Sequence, residues 1–276
     1  MRGQCMAGGA AMARTGSEDT LAQGSFVRVL RAEALKSRHG APVRLAIVLA
    51  LPFPLLAAFV ALSVPQFGLS YSPWNYWYAL LMPVSITLIA ATVANADARL
   101  GNHTLLSSGV PLHLAWGAKV AWCLALLLLS NLVVFAVYAV MSLVVPQGAA
   151  SMSAMLAVAL ALTVMGSWMI PATHFLTMRV GMLAGVFVPL AVQLALSLGW
   201  SVVPFWPACP PAATIVLPTA FLPVLPSGEP ASPGMALVES ISQGPDVALA
   251  LIVAAVLTAA FTAAGAVWLD RSEELR

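Results

Sequence analysis

VAWCLALLLLSNLVVFAVYAVMSLVV, Val120–Val145, decides the fold class. The run contains no charged residue and exceeds the ~20 residues that cross a ~30 Å hydrocarbon core. A helix this long at the surface of a soluble protein would need a polar face. Here Ser130, Asn131 and Ser142 supply nearly all the polarity. The rest of the chain has the same character. Of its 276 residues, 61% are hydrophobic and 8% charged, whereas soluble domains carry roughly 25% charged residues. The expected class is an all-α polytopic membrane protein.

Five further apolar runs lie around the first. In chain order the six expected spans are Val43–Val64, Trp74–Ala94, Val120–Val145, Ser151–Pro171, Val180–Val202 and Asp246–Trp268. Pro52 and Pro54 are expected to kink the first, because proline removes a helical donor and clashes with the carbonyl four residues back. Ahead of the bundle, Ser25–Arg38 reads as a short helix capped by Ser25. Phe26, Val29, Leu30 and Ala34 share one side, and Arg28, Arg31 and Arg38 the other. Glu33 interrupts the apolar side and Leu35 the polar one. Two readings fit this stretch: an interfacial helix, or a basic segment that fixes orientation.

The cations set that orientation. Arg2, Arg14, Arg28, Arg31, Lys36, Arg38 and Arg44 precede or open the first span. Arg99 and Lys119 lie between spans two and three, Arg179 between four and five, and Arg271 and Arg276 in the tail. With six spans these 12 residues fall on one side. The connections Pro65–Pro73, Pro146–Ala150 and Pro204–Pro245 on the other side have none. The positive-inside rule then places both termini in the cytosol. Tyr71, Trp74, Tyr76, Trp77, Trp200 and Trp206 are expected near the outer face, and Trp116, Trp122, Trp168 and Trp268 near the inner one.

The resulting division is a disordered lead at 1–24, a basic interfacial helix at 25–42, a six-helix membrane domain at 43–268 and a cytosolic tail at 269–276. Residues 1–24 lack an apolar stretch, so the first span is expected to serve as an uncleaved insertion signal. Two connections stand out. Asn95–Lys119 is the long polar segment on the inner side. Pro204–Pro245 is the long outer loop, whose apolar piece Ala212–Leu225 is too short to span and reads as interfacial or re-entrant.

Motifs for chemistry are missing. The chain has no G-x-x-x-x-G-K-[ST], H-E-x-x-H or G-x-S-x-G, so it offers neither a P-loop for ATP nor those hydrolytic sites. His39, His103, His113 and His174 are dispersed, and Cys5, Cys123 and Cys209 form no framework. No metal, catalytic residue or nucleic-acid partner is expected. Nor does any charged residue lie deep in a span, unlike the relay carboxylates of ion-coupled transporters. Asn131 and Gln193 read as interhelical hydrogen-bonding groups. A membrane bundle without an energy source of its own suits a transporter subunit worked by a separate ATPase.

Four stretches resemble the ABC-2 type permeases, and more narrowly their lantibiotic-immunity subfamily. They are RAEALKSR (Arg31–Arg38), PWNYWYALLMP (Pro73–Pro83), GNHTLLSSGVPLHLAWGAK (Gly101–Lys119) and WPACPPAATIVLPTAFLPVLPSGEP (Trp206–Pro230). Pro226-Ser227-Gly228 stands where that family often has Pro-Asn-Gly. The resemblance implies a six-helix ABC-2 type bundle in a bacterial plasma membrane. It also implies a second permease chain, identical or different, and a cytosolic ATPase that carries the ATP and Mg. The implied activity is removal of lantibiotic-type peptides from the membrane. The alternatives are another drug, lipid or peptide cargo, or a scaffold or sensor that transports nothing.

On this resemblance Leu105 and Leu106 are the apolar knobs that enter the ATPase. Asn102, His103 and Thr104 start their short helix, and Asp97 and Arg99 set its approach. His174 and Arg179 are expected as a second cytosolic contact. In the outer loop, Trp206, Glu229 and Glu239 are the candidate contacts for a cationic peptide. Their acidity has two explanations, substrate attraction or topology alone.

Overall fold

The computed structural model describes residues 26–38, 40–98, 111–232, 234–242 and 245–274. The described residues are helical throughout, apart from turns and one isolated antiparallel bridge, Val224–Pro230. Helix α1 covers residues 26–37. Then follow α2 (Ala41–Ser63), α3 (Ser72–Ala96), α4 (Leu112–Val144) and α5 (Met152–Arg179). The remaining helices are α6 (Met182–Leu198), α7 (Pro210–Val216), α8 (Ala236–Ser242) and α9 (Asp246–Glu274). Of these, α2, α3, α4, α5 and α9 are long and apolar enough to cross a membrane. Helix α6 is apolar but shorter, at 17 residues.

Prolines shape several helices. In α2 the regular helix stops at Val48 and resumes at Pro52. Pro52 and Pro54 have no N–H to offer Val48 and Ala50, so a turn forms between the two halves. In α3 the turn Trp77–Leu81 is wound as a π-helix, and the Met82 N–H reaches back to the Trp77 carbonyl. Pro83 follows at once, and the wider winding is the local answer to its missing donor. Pro171 does not end the fourth expected span. The Ser167 carbonyl, which a residue 171 N–H would have served, accepts from Ile170 instead at 3.1 Å. The helix bends there and continues to Arg179. Trp168 therefore lies in the middle of α5, not near an end.

Contacts between neighbouring helices sort their ends into two groups. At one end His113 of α4 lies 3.8 Å from Asp270 of α9, and Asn95 of α3 donates to Met182 Sδ of α6 at 3.4 Å. At the other, Leu69 N–H donates to Gln147 O at 2.9 Å, and Ala150 N–H to the Tyr71 hydroxyl at 2.7 Å. The former is called the basic end, since Lys119, Arg179 and Arg271 all belong to it.

Between the ends, the interior polar groups pair across helices. Trp77 Nε1 donates to Asn131 Oδ1, and Asn131 Nδ2 to Thr163 Oγ1, each at 3.1 Å. Thr163 passes its own hydroxyl to Ala159 O at 2.9 Å. One chain of hydrogen bonds thus joins α3, α4 and α5, in a place where no water would satisfy the same groups. Ser130 fastens α4 to α2 through Ala46 O at 2.8 Å.

Pro204–Pro245 is not a simple surface loop. Pro210 through Thr219 are buried. Helix α7 packs against α5, α6 and α9. Prolines at its first turn suit a helix start, where the missing donors have no intrahelical role.

Candidate functional site

The basic end is where the chain's chemistry gathers. Helix α1 lies across it with Glu33 and Ser37 turned inward, and its Phe26 ring lies beside Gly117 of α4. The Glu33 carboxylate accepts from Lys119 Nζ at 2.8 Å. Their side chains are only 11% and 4% exposed. Such a pair gives little net stability compared with apolar residues of the same shape, but losing one member strands a buried charge. Beside it, a cleft of about 210 Å³ is bordered by Glu33 and Ser37 of α1 and by Thr92, Val93 and Ala96 of α3. Helix α1 therefore touches the departing end of α3 and the arriving end of α4. These are the two ends from which the segment 99–110 hangs.

A second layer backs the pair. Trp116, one turn before Lys119, donates Nε1–H to Thr262 O of α9 at 3.0 Å. A Cβ at Gly265 would collide with the Trp116 indole, so glycine is what lets the ring reach α9. The same ring meets His174 edge-on, with centroids 5.7 Å apart. His174 Nδ1 lies 3.1 Å from Ile170 O, and a carbonyl can only accept, so this nitrogen carries the proton. Its Nε2 faces Cys123 Sγ at 3.9 Å. Both residues are buried, and the pair is a neutral packing contact between α4 and α5. Phe175 and Trp268 close the layer edge-to-face at 5.1 Å. Among the described residues no cluster of three or more His, Cys, Asp or Glu is placed to hold a metal ion.

The sequence-derived site residues fare differently. Arg99, Asn102, His103, Thr104, Leu105 and Leu106 lie outside the described residues. Helical winding runs on past Ala96 through the Asp97 backbone to Ala98. The expected second contact needs correction at His174, which is fully enclosed inside α5 rather than in a loop. The true reversal is Val180–Gly181, where Gly181 adopts φ 128°, a conformation open to glycine. Arg179 is exposed at the end of α5. In the segment Pro204–Pro245 Trp206 is half-buried and packs with Phe221, Val247 and Leu251 around Ala213 and Leu217. Glu229 and Glu239 are exposed, and Ser227 donates to Glu229 at 3.4 Å.

Sequence reasoning missed Glu33 and Lys119 as partners. The available signal was that each is an ionisable residue set in an apolar context, with opposite signs. Comparison with protein-family models, curated proteins and solved structures found no match for this chain.

Proposed function

We propose that this chain is the membrane subunit of an ABC exporter, an ABC-2 type permease powered by a separate cytosolic ATPase. The observation that carries this is the Glu33–Lys119 pair. It clamps α1 to the base of α4, so that a push on α1 or on the 99–110 segment is passed into a helix of 33 residues. At 1.5 Å per residue that helix is about 50 Å long, enough to carry the movement through the bilayer. The lack of any nucleotide-binding motif calls for an external energy source.

In this proposal α6 serves as a short sixth span, and the basic end faces the cytosol with both termini. The membrane is the bacterial plasma membrane. A second permease chain, identical or different, covers part of the bundle. Helix α9 suits that role, since only 11% of its most apolar stretch is buried against this chain. The cargo is a lantibiotic-type cationic peptide drawn from the membrane, met on the outer side by Trp206, Glu229 and Glu239. ATP and Mg reside on the ATPase.

The test is co-expression with any ABC ATPase found encoded beside this chain, followed by co-purification. The complex is expected from the wild type and not from the Leu105→Asp/Leu106→Asp variant. An ATPase that binds both equally would remove those leucines from the contact. One that binds neither would remove the exporter.

A further inference from the structure

We propose that the cleft between α1 and the base of α4 is a binding site for the headgroup of an anionic phospholipid. The proposal rests on the chain's membrane location and not on its transport activity. The cleft has a volume of about 290 Å³ and is lined by Arg31, Ala34, Leu35, Arg38, Val43 and Trp122. It lies on the opposite side of α1 from the Glu33–Lys119 pair.

Charge is the first argument. Arg31 and Arg38 are seven residues apart, which on a helix is two turns, about 10.5 Å along the axis on one face. Both are exposed. Among the described residues neither has a carboxylate partner within ion-pair distance. The nearest acid on the same helix, Glu33, is turned inward and engaged. Two guanidinium forks at the ends of one cleft suit a phosphate, which each can grip through paired N–H donors. Arg28 adds a third exposed cation one turn before Arg31.

Shape and polarity are the second argument, and they separate a lipid from a free phosphate. The rest of the lining is apolar. Leu35 is 60% exposed on the arginine-bearing face, and covering it with an acyl chain would remove that apolar surface from water. Val43 and Trp122 continue the apolar wall onto α2 and α4. One turn beyond Val43 lies the exposed Ile47, and just beyond Trp122 the exposed Leu124. An acyl chain entering beside Trp122 would follow these side chains along the outside of the bundle. Tryptophan is enriched at the headgroup level of membrane proteins. Leu35, which breaks the polar face of α1 in the sequence, thus has a use: it is the apolar contact between two phosphate-binding arginines.

The experiment is native mass spectrometry of the purified full chain, with phosphatidylglycerol and phosphatidylethanolamine titrated separately. The wild type is expected to retain one phosphatidylglycerol preferentially. Arg31→Gln/Arg38→Gln is expected to bind it about 10- to 30-fold more weakly, with phosphatidylethanolamine unchanged. Arg179→Gln, an exposed arginine at the same end, is expected to bind as the wild type does. Arg31→Lys/Arg38→Lys keeps the charge and guards against a folding defect; it should fall between the two, because ammonium lacks the paired fork. Equal phosphatidylglycerol retention by the wild type and the glutamine variant would overturn the site. Displacement of the lipid by excess inorganic phosphate would assign the arginines to a soluble anion and overturn the lipid.

Discussion

Lys119 Nζ sits 2.8 Å from Glu33 Oε1, in a place that excludes nearly all water from both side chains. One residue belongs to the helix before the first span and the other to the first turns of α4. The contact closes a loop of chain that contains the whole of α2 and α3. It makes the N-terminal helix a structural part of the bundle rather than a loose basic arm.

Removing one partner should be costly. Glu33→Ala and Lys119→Ala each break a pair enclosed by protein, with an expected loss of about 3–5 kcal/mol. Replacing both with methionine should restore most of that loss, because an apolar pair of similar volume carries no desolvation penalty. Thermal or denaturant unfolding of the three variants in one detergent measures this. A double replacement as unstable as either alanine variant would contradict it.

The interior hydrogen-bond chain makes a smaller prediction. Asn131→Leu removes the acceptor for Trp77 Nε1 and the donor to Thr163 Oγ1. Interhelical polar contacts in membranes contribute roughly 0.6–2 kcal/mol, so a loss in that range is expected. Indole N–H signals by nuclear magnetic resonance provide a direct check, since the Trp77 resonance should be the one that moves.

Gly265 is predicted to be intolerant of a side chain. Gly265→Ala drives a methyl into the Trp116 ring, and overpacking of this kind costs about 1–3 kcal/mol. The ring must then leave Thr262 O and its edge contact with His174. Trp116→Phe in the same background should recover part of the lost stability, because the smaller ring vacates the collision. No recovery would place the clash elsewhere.

Arg179→Cys and Glu229→Cys should react from opposite sides of the membrane. Both parent residues are exposed, and the proposed topology puts Arg179 in the cytosol and Glu229 outside. A membrane-impermeant maleimide applied to intact cells should label the second and spare the first. Labelling of both, or of Arg179→Cys alone, would overturn the proposed orientation.

Much of the fold was legible because membrane helices announce themselves by length and composition. Val120–Val145 was long, apolar and uncharged, and α4 covers it up to Val144. Pro52 and Pro54 gave the break in α2 directly, through their missing N–H groups. Pro171 was misleading for the same reason. Taken as a stop, it is in fact a bend, since Ser167 O found Ile170 N–H, and the polar residues after it turned inward. That is why His174 reads from the sequence as a cytosolic contact, while its partners in the fold, Ile170 O, Cys123 and Trp116, include two from another helix. Glu33 illustrates the wider limit. As a local pattern it only spoiled an amphipathic face, while its partner stands 86 positions away. Pairings at that separation depend on how helices pack, and no periodicity within one helix encodes them.

The most direct measurement of the account is ATP-driven peptide movement. Proteoliposomes holding this chain with the ATPase and permease partner that co-purify with it would be loaded with a fluorescent lanthionine peptide in the membrane. The account predicts loss of membrane-bound peptide on adding ATP and Mg. It predicts no loss with a non-hydrolysable analogue or with the Leu105→Asp/Leu106→Asp variant. Peptide clearance that is the same with and without ATP, or ATP hydrolysis by the full complex that leaves the peptide in place, would contradict it.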